Sequence, residues 1–202
     1  WVMSAFPLGY ALFQFPGGWF GDRVGPRIAL ASVVVWWSVF TFLTGIASSL
    51  PMLIVCLFLI GMGEAGAFPI SNRALSRWML PGERGIAQGT THAGSRLAGA
   101  MTPVLVATLI GMYSWHMAFF LFALVGIVWA GIWFWYYRDI PSEHAGVNAG
   151  ERHKIVGALG AAAKKRQPIP WKLILRSRQM WILATMYFCY GYGINMFLAW
   201  YP

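Results

Sequence analysis

Apolar positions along the chain come in long continuous runs broken by short polar punctuation, and none alternates with the period of two that a half-buried strand needs. Six runs approach the roughly 20 residues a helix needs to cross a bilayer, at about 2–20, 28–48, 52–76, 86–111, 117–137 and 180–202. Continuous, Gly-rich apolar runs suit helices packed side by side, whereas an outer-membrane barrel would show ten-residue segments of alternating polarity. The long polar stretch is 138–178, where a short helix is expected from about Glu151 to Ala163 and Pro168 and Pro170 break what precedes "WKLILRS". That last segment is able to lie amphipathically on a membrane surface. The pattern predicts an all-α integral membrane protein. Residues 1–137 form a partial bundle of five spans, 138–178 a linker, and 179–202 the first helix of a second bundle.

Composition strengthens that reading. The chain has 202 residues, 58% of them hydrophobic and only 10% charged, against roughly 25% charged in soluble domains. Every Lys and Arg except Arg96 lies at or beyond span ends on one side, while the opposite turns, "SSLP" at 48–51 and "YSWH" at 113–116, carry none. The positive-inside rule makes the basic side cytoplasmic, and places the protein as a multi-pass protein of the cell inner (plasma) membrane with a cytoplasmic linker. The net charge of +9 therefore describes topology, and a nucleic-acid partner is not expected, because its recognition would need those charges on one folded face. The expected partners are the lipid bilayer and a small molecule, and the expected state is a monomer. Cys56 and Cys189 fall inside spans as small hydrophobes, and His144 and His153, nine residues apart in the linker, read as solvated loop residues with no metal site. The chain opens on Trp1 and reads as a fragment.

Within this apolar background a few polar residues stand out. "LIGMGEAGAFP" at 59–69 matches G-x-G-x-x-G through Gly61, Gly63 and Gly66, but the run before it is too long for a strand and no acidic residue follows in the place a dinucleotide site needs. Glu64 is the informative residue. At 1.5 Å per residue it lies roughly 18 Å from the start of its span, near mid-membrane, where a charge costs about 2.5–3.5 kcal/mol to insert. A carboxylate held there must face a cavity, which makes it a candidate proton carrier, with a structural ion pair as the alternative. Counting from the turn at Pro81 and Gly82, Arg96 in the next span comes within about 5 Å of the same depth. The two are able to pair, or to share an anion. His92 and Ser95 make this part of the helix too polar for lipid, and Gly85 with Gly89, and Ser95 with Gly99, have the spacing of close helix contacts. Tyr10 and Gln14 in the first span, and Tyr190 and Asn195 in the last, are further candidates for substrate contact. No nucleophile–base set or metal spacing appears, so neither an enzyme nor a bound cofactor is expected; the coupling ion would be a proton.

The segment "GGWFGDRVGPR" at 17–27 is the most specific signal. Read alone it is a sharp polar turn made by glycines, with Asp22 and Arg23 placed to latch neighbouring helix ends. Its order of Gly18, Gly21, Asp22, Arg23, Gly25 and Arg27 resembles the loop between the second and third helices of major facilitator transporters, G-x-L-A-D-R-x-G-R-R, with Phe20 and Pro26 in place of commoner residues. "YALFQFPGGWFGDRVGPR", "GEAGAFPISNRALSRWMLPGERG", "AGSRLAGAMTP" and "WYYRDIPSEHAGVNAGE" are similar to the anion:cation symporter family, which includes bacterial sugar-acid transporters and mammalian vesicular anion carriers. The resemblance implies helices two to seven of a twelve-helix bundle, a proton-coupling role for Glu64, and a match of Asn72 and Arg73 to that family's "NR". It implies proton-coupled symport of an organic anion such as a sugar acid or uronate by alternating access; sodium coupling, exchange, or a non-transporting receptor on the same fold are the alternatives. Leu57 stands four residues before Gly61, where many such proteins have arginine, leaving Arg96 to contact the anion. The G-P-x-x-G-G signature of drug antiporters is absent.

Overall fold

The computed structural model describes residues 2–150, 153–155, 157 and 171–200. The chain forms two compact units, Trp1–Ala162 and Ala163–Pro202. The first contains α1 (Val2–Val24), α2 (Pro26–Gly45), α3 (Leu50–Glu64), α4 (Ala67–Trp78), α5 (Arg84–Met112) and α6 (Trp115–Tyr136), then a 3-10 turn at Pro141–Glu143. The second contains α7 (Trp171–Arg176) and α8 (Arg178–Trp200). The described residues include no strand. The expected helix over 151–163 lies almost wholly outside them.

Four segments are long and apolar enough to cross a membrane: Pro26–Gly45, Leu50–Trp78, Arg84–Met112 and Trp115–Tyr136. Helices α1 and α8 occupy the other two expected spans, but their Gly, Pro, Trp, Tyr and Gln content makes them less uniformly apolar. Two expectations need correction. The sharp turn expected over 17–27 is not a turn, because α1 stays helical to Val24 and only Gly25 leaves the helix, with φ +95°. The third span, expected as one helix, is interrupted at Ala65 and Gly66; both keep right-handed helical backbone, and the Ala65 and Ile70 N–H groups still donate to Gly61 and Gly66 carbonyls at 3.0 Å. Glu64 is therefore the last residue of α3, at the interruption.

Glycines set how closely the helices approach. A Cβ on Gly9 would strike the carbonyl oxygen of Phe58, and one on Gly61 that of Phe6, so α1 and α3 meet backbone to backbone. At the interruption, a Cβ on Gly17 would lie 2.7 Å from the Gly66 Cα. Beside this seam Ala29, Leu30 and Ile70 form a core with Phe20, Val33 and Trp133 packed on it, and the Trp36 indole N–H ties α2 to α3 through the Leu59 carbonyl at 2.9 Å. By contrast no residue of α5 is buried. Nothing lies within 4 Å of a Cβ built on Gly85, Gly89 or Gly99, so the close contacts expected there are made on α1 and α3 instead.

Gly61→Val is expected to destabilise the protein by about 3 kcal/mol or more, because the obstacle is a main-chain carbonyl that cannot rotate aside. Gly131→Ala, at a helical site with nothing within 4 Å, is expected to be neutral or stabilising by up to about 1 kcal/mol. Thermal unfolding of the two purified variants in one detergent checks the contrast.

Candidate functional site

The start of α2, the end of α4 and the segment after α6 meet around one acid, Asp139. Helix α2 starts at Pro26, a residue with no N–H to leave unpaired, and its N-cap Gly25 brings no side chain to the exposed amides. Asp139, three residues past the end of α6, supplies the missing acceptor: its Oδ1 takes the Arg27 N–H at 3.1 Å. The same oxygen pairs with Arg77 Nη1 of α4 at 2.9 Å, with both side chains about three-quarters buried. A Cβ on Gly25 would lie 2.7 Å from Asp139 Oδ2, so glycine is needed here for space as well as for its positive φ. The Arg27 guanidinium donates twice to the Phe134 carbonyl, at 2.9 and 2.8 Å, satisfying the C-terminal end of α6.

A second, more exposed ion pair joins Asp22 of α1 to Arg73 of α4 at 3.0 Å. Arg23 lies over the Trp19 ring of its own helix, 5.2 Å from the centroid, and makes no ion pair with another helix among the described residues. Gly18 faces Pro69 of α4. The segment after α6 closes over the same region, with the Trp78 indole N–H donating to the Arg138 carbonyl at 2.9 Å. His144 is not the solvated loop residue expected. Half-buried, it sits edge-on to Trp78 and Tyr136 with ring centroids 5.5 and 5.0 Å away, and its Nδ1 accepts the Gly146 N–H at 3.1 Å.

Deeper along the bundle two contacts fix the register of α4 against α5. Gln88 Nε2 donates to Asn72 Oδ1 at 3.3 Å, and one turn on in each helix the Phe68 and His92 rings stack at 5.5 Å. Another antiparallel step of four brings Glu64 level with Arg96. Glu64 is half-buried and Arg96 exposed, and neither has a hydrogen-bond or ion-pair partner among the described residues. The direct pairing that the sequence allowed is therefore not formed. Ser95, beside Arg96, is exposed as well.

The other predicted site residues are more scattered. Tyr10 is partly buried on α1, its ring 6.2 Å from Phe6, and Gln14 one turn on is exposed. Tyr190 lies on α8 in the second unit, exposed, 6.2 Å from Tyr187; the Asn195 side chain is outside the described set. An apolar cleft of about 530 Å³ opens between α2, α4, α5 and α6, lined by Trp37, Phe122, Trp129, Trp133 and Thr91, and Glu64 and Arg96 are not in its wall. No group of three or more His, Cys, Asp or Glu among the described residues is placed to hold a metal.

Sequence reasoning missed Asp139 as a site residue, taking it for the start of the linker. The available signal was an acid inside the basic run "YYRDIP", placed where a span ends and a Pro-initiated helix needs an acceptor.

Comparison with known proteins agrees with this architecture. The chain is 38% identical over its whole length to a probable sulfoacetate transporter of Cupriavidus necator, covering 46% of that protein. It is 30% identical to the hexuronate transporter of Bacillus subtilis, covering 46% of it, and 32% identical to the sodium-dependent phosphate transport protein 1, chloroplastic, of Arabidopsis thaliana, covering 40%. The chain thus spans about half the length of the curated relatives it matches. The Major Facilitator Superfamily model matches residues 1–202, and on that match the chain belongs to the major facilitator superfamily.

Proposed function

We propose that this chain is part of a secondary transporter that carries a small organic anion with protons by alternating access across the cell inner membrane. What supports the reading is the register of α4 against α5, which carried one step past the Phe68–His92 contact puts Glu64 at about the depth of Arg96, a carboxylate and a guanidinium each without a partner among the described residues. Arg96 attracts the substrate carboxylate, since a planar guanidinium matches it with two parallel N–H donors. Glu64 carries the proton, and His92 and Ser95 line the approach to Arg96. Tyr10 and Gln14 orient substrate hydroxyls. The ion pairs at the basic end, facing the cytoplasm, hold the half-bundle rigid as it rocks. The relatives named for hexuronate and sulfoacetate support a carboxylate as cargo. Sodium coupling is the second reading, and the relative named as a sodium-dependent phosphate transport protein is what favours it.

The test is uptake of labelled hexuronate and sulfoacetate by the full-length protein in proteoliposomes, with an inward proton gradient or an inward sodium gradient in turn. Accumulation driven by protons alone supports the proposal, and accumulation driven only by sodium replaces its coupling ion. Arg96→Ala is expected to raise KM about 30-fold, the equivalent of losing about 2 kcal/mol of charge-assisted hydrogen bonding. An unchanged KM would remove Arg96 from the site.

A further inference from the structure

We propose that the corner between α7 and α8 is a binding site for anionic phospholipid headgroups, a surface element that docks this part of the chain on a negatively charged leaflet. On α7, Lys172 and Arg176 are one turn apart and fall on one side of the helix, within about 40° of each other, while Leu173, Ile174 and Leu175 occupy the rest of its circumference. Leu173 and Leu175 are 72% and 54% exposed, and Lys172 and Arg176 are exposed too. A six-residue helix with two bare cations together on one side, flanked by bare leucines, suits an interface that is negative at headgroup level and apolar just below it.

The corner itself is built. The Ser177 N–H donates to the Ile174 carbonyl at 3.1 Å, ending α7, and Ser177 Oγ accepts the Met180 N–H at 3.5 Å, starting α8. Across the break the Trp181 indole N–H donates to the Leu175 carbonyl at 2.8 Å. That bond satisfies a carbonyl at the end of α7 and fixes an exposed tryptophan beside it, at the place in the chain where α8 turns apolar. An indole with an apolar body and a bonded N–H is suited to headgroup depth. Arg178 adds a third exposed cation on the other side of Ser177.

Charge complementarity selects the occupant. Residues 164–178, "KKRQPIPWKLILRSR", hold six Lys and Arg and no Asp or Glu, and no acid follows to the end of the chain. A basic cluster of that size directly before an expected span is attracted to anionic lipid, each cation near the surface strengthening binding about five-fold. A nucleic acid would meet the cations but leave Leu173, Leu175 and Trp181 in water. The proposal rests on the transporter reading only for which leaflet the corner faces.

The experiment titrates the purified full-length protein with phosphatidylglycerol and, separately, phosphatidylcholine, reading bound lipid by native mass spectrometry. The triple variant Lys172→Gln, Arg176→Gln, Arg178→Gln is expected to bind phosphatidylglycerol about 100-fold more weakly with phosphatidylcholine unchanged. The charge-conserving triple Lys172→Arg, Arg176→Lys, Arg178→Lys should stay near wild type, and raising salt should erode the preference for phosphatidylglycerol. Equal phosphatidylglycerol binding by the neutral triple and wild type would overturn the proposal, as would equal losses in the neutral and charge-conserving triples. Should the neutral triple not fold, Lys172→Gln and Arg178→Gln singly are each expected to weaken binding about two- to five-fold, and no effect of either overturns it equally. Uptake measured on the same wild-type preparation separates the two readings, since absent transport with an intact lipid preference counts against the transport reading alone.

Discussion

Asp139→Ala is expected to lower both thermal stability and uptake, by more than any other single change at the basic end. Its carboxylate serves two customers at once, the Arg27 N–H at the start of α2 and the Arg77 guanidinium of α4. Removing it strands an arginine about three-quarters buried and uncaps a helix. A partly buried ion pair contributes more than the about 0–1 kcal/mol of an exposed one and an N-terminal cap about 0.5–2 kcal/mol, so a loss of about 2 kcal/mol is reasonable here. Because Asp139 ties α2, α4 and α6 within one bundle, the deficit falls on the rigidity of that bundle. On the proposed alternating access, if only one of two states keeps the bundle's basic end intact, about 2 kcal/mol changes their ratio about 30-fold. Uptake should then fall about ten-fold or more, with altered labelling of a single cysteine placed near Arg84. Arg77→Ala should act in the same direction, and the double variant should be little worse than the worse single. Asp22→Ala is the contrast: its pair with Arg73 is 52% and 41% exposed, so stability should move by about 1 kcal/mol at most. Uptake and stability unchanged in Asp139→Ala would show that the network is incidental.

The positions of the helices were legible because bilayer length and unbroken apolar composition leave few alternatives to a spanning helix. How those helices touch was less legible. Gly17, Gly18 and Gly21 look like a turn in the sequence, and only the neighbouring helix shows that Gly17 admits the Gly66 backbone. The same ambiguity misplaced the small residues of α5, whose spacing suits a close contact that the described residues do not make. Asp139 and His144 were obscured for a different reason. Both follow the last long span of the first unit, where a polar residue reads as loop, and their roles come from Arg27, Arg77 and Trp78, which are distant in sequence. Depth was easier to read than contact. Counting from the turn at Pro81 brings Glu64 and Arg96 to similar depths, and the register of the Asn72–Gln88 and Phe68–His92 contacts, carried one step further, agrees. That α5 stands open at this point, leaving the two unpaired among the described residues, is a packing outcome that residue counting does not contain.

Glu64→Gln is expected to abolish proton-driven accumulation while leaving a folded protein that still exchanges anion. Glutamine keeps the shape and the hydrogen-bonding reach of a protonated glutamate, and Glu64 has no described partner to lose, so the stability change should be small. On the proposed coupling, what disappears is the ability to bind and release a proton at mid-membrane. With one proton carried per anion and no other driving force, a gradient of one pH unit supplies about 1.4 kcal/mol, enough for about ten-fold accumulation. Wild type should approach that ratio and Glu64→Gln should stop near equality of inside and outside. Counterflow provides the second half of the test: with unlabelled anion trapped inside, the variant should still take up labelled anion without a gradient, because exchange needs the site to reorient loaded but not to shed a proton. Loss of both activities would mean that glutamine disrupts substrate binding or reorientation itself, and Glu64→Asp, which keeps the acid on a shorter stem, should then recover part of each. Accumulation by Glu64→Gln equal to wild type would assign the carboxylate a structural role and require another group to carry the proton.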